Sequence, residues 1–258
     1  MKVGFLITAR LKSSRLPEKL LKEVQGENFM TLMIKRLKLS NELLEIVICT
    51  SQNPQDDPLE EIARTQGVKC FRGSEEDVML RLYEAAQQYS FDYVINMTAD
   101  CPLLPYELIP NVIEHYIKTG ADLIKCHDLP VGLYLSGIKI EAMKKVIDMK
   151  ATGFSEYWLY YFLKTDLFNV HSLPMENVVK RDNYRIALDY PEDYMFLKAL
   201  YEGLGKDAYK AKTAEIISFL DKNPHLADIN KACNKKGEIR TKEDSTSRVI
   251  LKDGTIIR

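Results

Sequence analysis

The longest apolar runs in this 258-residue chain are only of strand length, well short of the roughly 20 residues that a membrane-crossing helix requires. An excess of charge is missing as well. Lys and Arg number 36 against 37 Asp and Glu, a formal net charge of −1, so the molecule as a whole is not drawn to nucleic acid or to anionic lipid. Any anion binding must be local, and neither a nucleic-acid nor a membrane partner is expected. The five cysteines show no C-x-x-C pair and no zinc-like spacing, and an odd count argues against a disulfide framework. A reduced, cytoplasmic protein whose cysteines hold no metal is the expectation. Lys2 leads directly into an apolar stretch with no small-residue cleavage site behind it, so no secretory signal is expected. Hydrophobic residues at 46% and charged residues at 28% exclude a disordered chain.

Over residues 2–128, strand-like and helix-like patterns alternate. KVGFLITA, EIVICTS, VKCFRG, YVINMTA and ADLIKCH are short, apolar and rich in β-branched residues. FMTLMIKRLKLS, PLEEIARTQG, EEDVMLRLYEAAQQY and PYELIPNVIEHYIKTG between them space apolar residues as helices do. This predicts an α/β fold with a doubly wound, mostly parallel sheet in a three-layer α/β/α arrangement, with ligands at the carboxyl ends of the strands. The main domain is expected over residues 1–222, with an elaboration at about 129–183. Within it, YRIALDYPEDYMFLKALYEGLG predicts a strand, a Pro turn and a helix. Residues 223–258 are expected to form a helix from Pro224, a polar linker, NKKGEIRTKEDSTS, and a hairpin at RVILKDGTIIR, where Asp-Gly favours a tight turn.

The first strand runs into TARLKSSRLPEKLL, a loop carrying Arg10, Lys12, Arg15 and Lys19. It has no glycine, so it is neither a Walker A loop nor a G-x-G-x-x-G turn. Its position before a helix makes it an anion site, and a triphosphate is a natural guest for the four cations. Asp100 in NMTADCPLL and Asp189 in IALDYPED each close an apolar run before a proline turn. Either carboxylate could cap a helix, and the pair could hold Mg²⁺, which takes one or two carboxylates together with phosphate oxygens. In FRGSEEDVMLRL, Ser74 and Asp77 suit a helix cap, which leaves Arg72 and Arg81 for a ligand or for salt bridges.

Taken together, ARLKSSRLPEK, FRGSEEDVMLR, TADCPLL and LDYPEDY resemble, in order, the signatures of the cytidylyltransferases. The resemblance is to the spore coat polysaccharide type, related to the 3-deoxy-manno-octulosonate and N-acylneuraminate enzymes. It implies a homodimeric enzyme that joins CTP to a sugar, usually an acidic one, with Mg²⁺, giving a CMP-sugar and pyrophosphate. It also implies that Ala9, Arg10, Ser13, Arg15 and Lys19 hold the triphosphate, and that Arg72, Ser74, Asp77 and Arg81 sit near the nucleotide. Asp100 and Asp189 would hold the metal, and Arg10, Arg15, Lys19 and Asp100 would serve catalysis. His127, Tyr157 and Arg185 are candidate sugar contacts. Lys12 and Glu18 stand where the family often carries glycine, and Tyr157 where it carries histidine. Three alternatives stay open: a nucleotidyltransferase using another nucleotide or a sugar 1-phosphate, a nucleotide-sugar glycosyltransferase, and an inactive nucleotide-binding module. Ala99 and Cys101 around the single acid of TADCP count against the D-x-D pair of a glycosyltransferase.

Overall fold

The computed structural model describes all residues but 41, 43, 127–128, 175–180, 182, 244–248 and 258. In chain order the main elements are β1 (Val3–Thr8), a small hairpin of β2 (Glu23–Val24) and β3 (Glu27–Asn28), α1 (Phe29–Leu37), β4 (Glu45–Ser51) and α2 (Asp57–Gln66). They continue with β5 (Lys69–Gly73), α3 (Val78–Gln88), β6 (Tyr93–Thr98), α4 (Ile109–Thr119), β7 (Leu123–Lys125), β8 (Ser136–Lys139), α5 (Ile140–Met149), α6 (Leu159–Leu163) and β9 (Val170–Ser172). The C-terminal part holds α7 (Pro191–Leu204), α8 (Thr213–Lys222), α9 (Lys231–Glu243), β10 (Val249–Ile250) and β11 (Ile256–Ile257).

Seven strands form one sheet in the order β5-β4-β1-β6-β8-β7-β9. The pairs β4–β5, β1–β4, β1–β6 and β7–β9 are parallel, while β8 runs antiparallel to both its neighbours. Alternation along β1 explains the layers. Phe5 and Ile7 face one core with Met33 of α1 and Leu59 of α2, while Leu6 faces the other with Met79 and Leu82 of α3 and Met143 of α5. Each side of the central strands is thus buried, giving the expected α/β/α sandwich. A third core lies beyond the sheet, where Leu16, Phe29 and Leu32 pack on Ile186, Leu188, Phe196, Leu200 and Ile216.

The C-terminal half departs from the sequence reading in two places. Residues 184–189 are extended but form no strand, pairing only through an isolated bridge between Val131 and Arg185. The segment lies against a loop: Ile186 donates its N–H to the Val131 carbonyl at 2.6 Å, and Leu188 to that of Asp100 at 2.7 Å. Gly132 is required there, because a Cβ would come within 2.2 Å of the Ile186 oxygen. The stretch taken for a polar linker is helical up to Glu243, as α9, and Pro224–Ile229 is a 3₁₀ turn. The terminal hairpin forms as β10 and β11, with Gly254 at φ 87° in its turn.

Candidate active site

The basic loop is a pinned structure. Ala9 extends β1 by donating to the Cys49 carbonyl at 3.1 Å. The next N–H along the loop's buried side, from Leu11, donates to the Asp56 carboxylate at 2.7 Å. Asp56 is buried and also accepts from the hydroxyls of Thr50, at 2.9 Å, and Ser51, at 2.5 Å. Leu11, Leu16 and Leu20 go into the core, so the residues interleaved with them, Arg10, Ser13, Arg15 and Lys19, line a cleft of about 420 Å³ together with Ala9 and Lys12. Glu18 turns the chain through a left-handed conformation, φ 51°, directly before Lys19.

Asp100 follows β6 and Asp189 closes the extended segment, and both line the same cleft. The Lys19 ammonium stands between them, donating to Asp100 Oδ2 at 3.1 Å and to Asp189 Oδ1 at 2.9 Å. Arg15 adds a contact to Asp189 Oδ1 at 3.1 Å, and Arg185 binds Oδ2 from behind at 2.6 Å. Burial pushes the Asp189 carboxyl up, but Lys19, Arg185 and Arg15 outweigh it and hold it well below the usual range. Burial likewise disfavours charge on Lys19, and the two aspartates reverse that, leaving its pKa raised. Two carboxylates converging on one cation are a hard oxygen donor set that suits Mg²⁺. Among the described residues no three His, Cys, Asp or Glu side chains form a metal-ligating cluster, so any such ion takes its remaining ligands from water or substrate.

Further side chains set these groups in place. Asp193, fully buried, accepts from the N–H groups of Asp189 and Tyr190 at 2.9 and 3.1 Å and from Arg185 Nε at 3.1 Å. Arg36, also fully buried, donates to the carbonyls of Leu104, Tyr209 and Ala211 at 2.6, 2.8 and 2.6 Å, tying the turn behind Asp100 to the C-terminal module. On the opposite wall Asp77 caps α3 by accepting from the Leu80 N–H at 3.1 Å. It also pairs with buried Lys150 and accepts from Ser155 at 2.7 Å, which fixes the segment presenting Phe154, Glu156 and Trp158 to the cleft.

The structure therefore brings Ala9, Arg10, Ser13, Arg15, Lys19, Asp100 and Asp189 together; of FRGSEEDVMLRL, Glu76 and Val78 line the cleft, while Arg72, Ser74, Asp77 and Arg81 do not. Arg72 is engaged by Asp57 and Glu60, at 2.6 and 3.0 Å, and by the Ser51 carbonyl, away from the cleft. Ser74 accepts from the Asp77 N–H at 3.0 Å as a cap. Arg81 is fully buried and donates to the Glu75 carbonyl at 3.1 Å, the same oxygen that Arg10 binds at 2.9 Å, and burial pushes its pKa down to about 10. Arg185 reaches Asp189 from outside the cleft, Tyr157 stacks on Tyr160 at 5.8 Å, and His127 lies outside the described residues. Sequence reasoning missed Asp56, Glu156 and the support given by Asp193. Only a buried acid ahead of a helix could have signalled the first, since hydrogen bonds that cross 45 residues leave no periodic trace.

Three comparisons bear on this site. The model of the family described as Cytidylyltransferase matches residues 5–213. The spore coat polysaccharide biosynthesis protein SpsF of Bacillus subtilis is 28% identical over 230 residues, 86% of this chain and 95% of that protein. A 3-deoxy-manno-octulosonate cytidylyltransferase of Chloroherpeton thalassium is 32% identical over 123 residues, 47% of this chain and 48% of that one. Among solved structures, a cytidylyltransferase from Leptospira borgpetersenii superposes with a TM-score of 0.82 at 26% identity, covering 88% of this chain and 97% of that chain.

Proposed function

This chain belongs to the cytidylyltransferase family, and we propose that it transfers CMP from CTP to an acidic sugar of the 3-deoxy-ulosonic class. The products would be a CMP-sugar, for a surface polysaccharide, and pyrophosphate. The observation that carries the reading is the Lys19 ammonium held between Asp100 and Asp189, at 3.1 and 2.9 Å, in a cleft that also presents Arg10, Lys12 and Arg15. The sugar class rests on the relatives named for 3-deoxy-manno-octulosonate.

In this reaction a sugar hydroxyl oxygen attacks the α-phosphorus and gives its proton to water, the bond from that phosphorus to the oxygen bridging to the β-phosphate breaks, and pyrophosphate leaves with the electron pair. Catalysis of such a step is mostly alignment and neutralisation of oxygen charge. Arg10, Arg15 and Lys19 bind the triphosphate, and Arg15 and Lys19 neutralise the leaving pyrophosphate. Asp100 and Asp189 would hold Mg²⁺, which when bound screens phosphate charge and lowers the pKa of a coordinated hydroxyl. Phe154 and Trp158 form an apolar wall of the cleft and exclude water from that side.

Pyrophosphate release measured with CTP, UTP, GTP or ATP, Mg²⁺ and a panel of 3-deoxy-ulosonic acids tests the proposal. Turnover is expected with CTP and at least one such acid. Turnover only with another nucleotide removes the cytidine assignment, and turnover only with neutral or phosphorylated sugars removes the acidic acceptor.

A further inference from the structure

Asn230 lies past the end of the family match at residue 213, between the 3₁₀ turn Pro224–Ile229 and α9, and it is almost completely buried at 1% exposure. Its side-chain amide donates to Asp193 Oδ1 at 2.8 Å and to the Arg185 carbonyl at 2.9 Å. Both partners are acceptors, so the nitrogen and not the oxygen must face them. Asp193 thereby has its acceptor capacity filled: the amide, the Arg185 Nε and two backbone N–H groups at residues 189 and 190. Arg185, clamped by Asp193 through Nε, turns its Nη2 to Asp189 Oδ2 at 2.6 Å. The following helix closes over this chain of contacts. Cys233 is buried, Lys236 pairs with Glu192 at 2.6 Å, and a Cβ on Gly237 would sit 3.9 Å from Arg185 Nη1.

We propose that Asn230 is a positioning residue for Asp189, acting through Asp193 and Arg185, so that the segment beyond the family-matched span is part of the machinery that holds the metal. The proposal rests on the reading that Asp189 binds a divalent cation. Asp189 leaves no strand, and among the described residues its carboxylate is fixed by this network and by Lys19 and Arg15, which face it. Removing the amide leaves one lone pair of buried Asp193 without a donor and frees the Arg185 carbonyl, which loosens the guanidinium that aims Asp189. Outer partners of metal ligands are worth about 10–100-fold in metal affinity.

The test uses the full chain and Mn²⁺ alone, followed by electron paramagnetic resonance, for the wild type, Asn230→Ala, Asn230→Leu and Asp189→Asn. Asn230→Leu keeps the side-chain volume and removes the donor, so it covers the case in which the alanine cavity prevents folding. Expected are an Mn²⁺ dissociation constant raised about tenfold in the Asn230 variants, with a parallel rise in the Mg²⁺ concentration for half-maximal pyrophosphate release. A folded Asn230 variant with wild-type Mn²⁺ affinity, whatever its melting temperature, overturns the proposal. Failure of the underlying reading looks different: Asp189→Asn then binds Mn²⁺ as well as the wild type does, and that outcome overturns both.

Discussion

Asp100 leaves the end of a central strand and takes a hydrogen bond from its neighbour Thr98 at 2.5 Å, whereas Asp189 leaves an extended segment outside the sheet and is gripped by Lys19, Arg15 and Arg185. The first carboxylate inherits its position from β6, which β1 and β8 flank on either side. The second depends on a network whose members come from residues 15–19, 185–193 and 230. One site thus joins a carboxylate placed by secondary structure to a carboxylate placed by buried polar side chains. The two should fail differently: an outlying change should be absorbed near Asp100 and felt near Asp189.

Substitution of the carboxylates themselves should not discriminate. Asp100→Asn and Asp189→Asn are each expected to lower kcat by on the order of 10²–10³-fold, with the fold retained by circular dichroism. The next change separates the two sides. Asp193→Ala strips buried Arg185 of one counter-charge and frees two backbone N–H groups, so a stability loss of about 3 kcal/mol and an activity loss of about 10–100-fold are expected. Thr98→Val removes the hydroxyl that donates to Asp100 and contacts Cys101 Sγ at 3.7 Å beside a fixed strand end, about 1 kcal/mol, and should lower kcat less than tenfold. Urea unfolding and pyrophosphate release on both variants check this, and equal losses would break the comparison.

The same division decides what could be read in advance. β4 coincides with EIVICTS, a short run buried on both faces, and α2 with nearly all of PLEEIARTQG, which buries one helical stripe of Leu59, Ile62 and Ala63, so both signals are written locally. The basic loop and Asp100 were legible for that reason: they follow strands that were. Asp189 lines the cleft with the basic loop, but the segment before it reads as a strand and is not one, since Ile186 and Leu188 bury themselves in the third core and not in a sheet. α9 escapes the sequence reading because, among its described side chains, Cys233 is buried while Ile239 stays exposed, so no apolar stripe marks it. Arg72 was expected near the nucleotide, but as the sequence neighbour of a turn on edge strand β5 it lies within reach of the acids that open α2.

A smaller effect is expected from pH. The Asp189 carboxyl is held below its ordinary value, so its stabilising contribution is complete above about pH 4, where an unfolded carboxyl is ionised. It is lost only as pH falls through the lower folded value. Lys19→Met removes the cation that most depresses it while burial remains, so the acid-unfolding midpoint should move to higher pH, as followed by Trp158 fluorescence. Thr98→Val, which touches no cation, should leave that midpoint where it is. A shift of the same size in both variants would place the acid sensitivity outside the Asp189 network.

The smallest expected effect is at Glu18, on the loop that serves both aspartates. Its exposed side chain sits on a backbone at φ 51°, in the left-handed region, and the residue opens the turn that carries Lys19. A non-glycine residue there costs about 1–2 kcal/mol, and glycine gives back about 0.5–1 kcal/mol in the entropy of the unfolded chain. Glu18→Gly should therefore be mildly stabilising, by about 0.5 kcal/mol, or roughly 1–2 °C in melting temperature for a chain of this size. The left-handed turn at this position is then met here at some strain. Lys19 is held by its two aspartates whichever residue precedes it, so turnover should change by less than about twofold. A fall in melting temperature on Glu18→Gly would mean that the glutamate side chain itself contributes to the loop, and with it to the common anchor of Asp100 and Asp189.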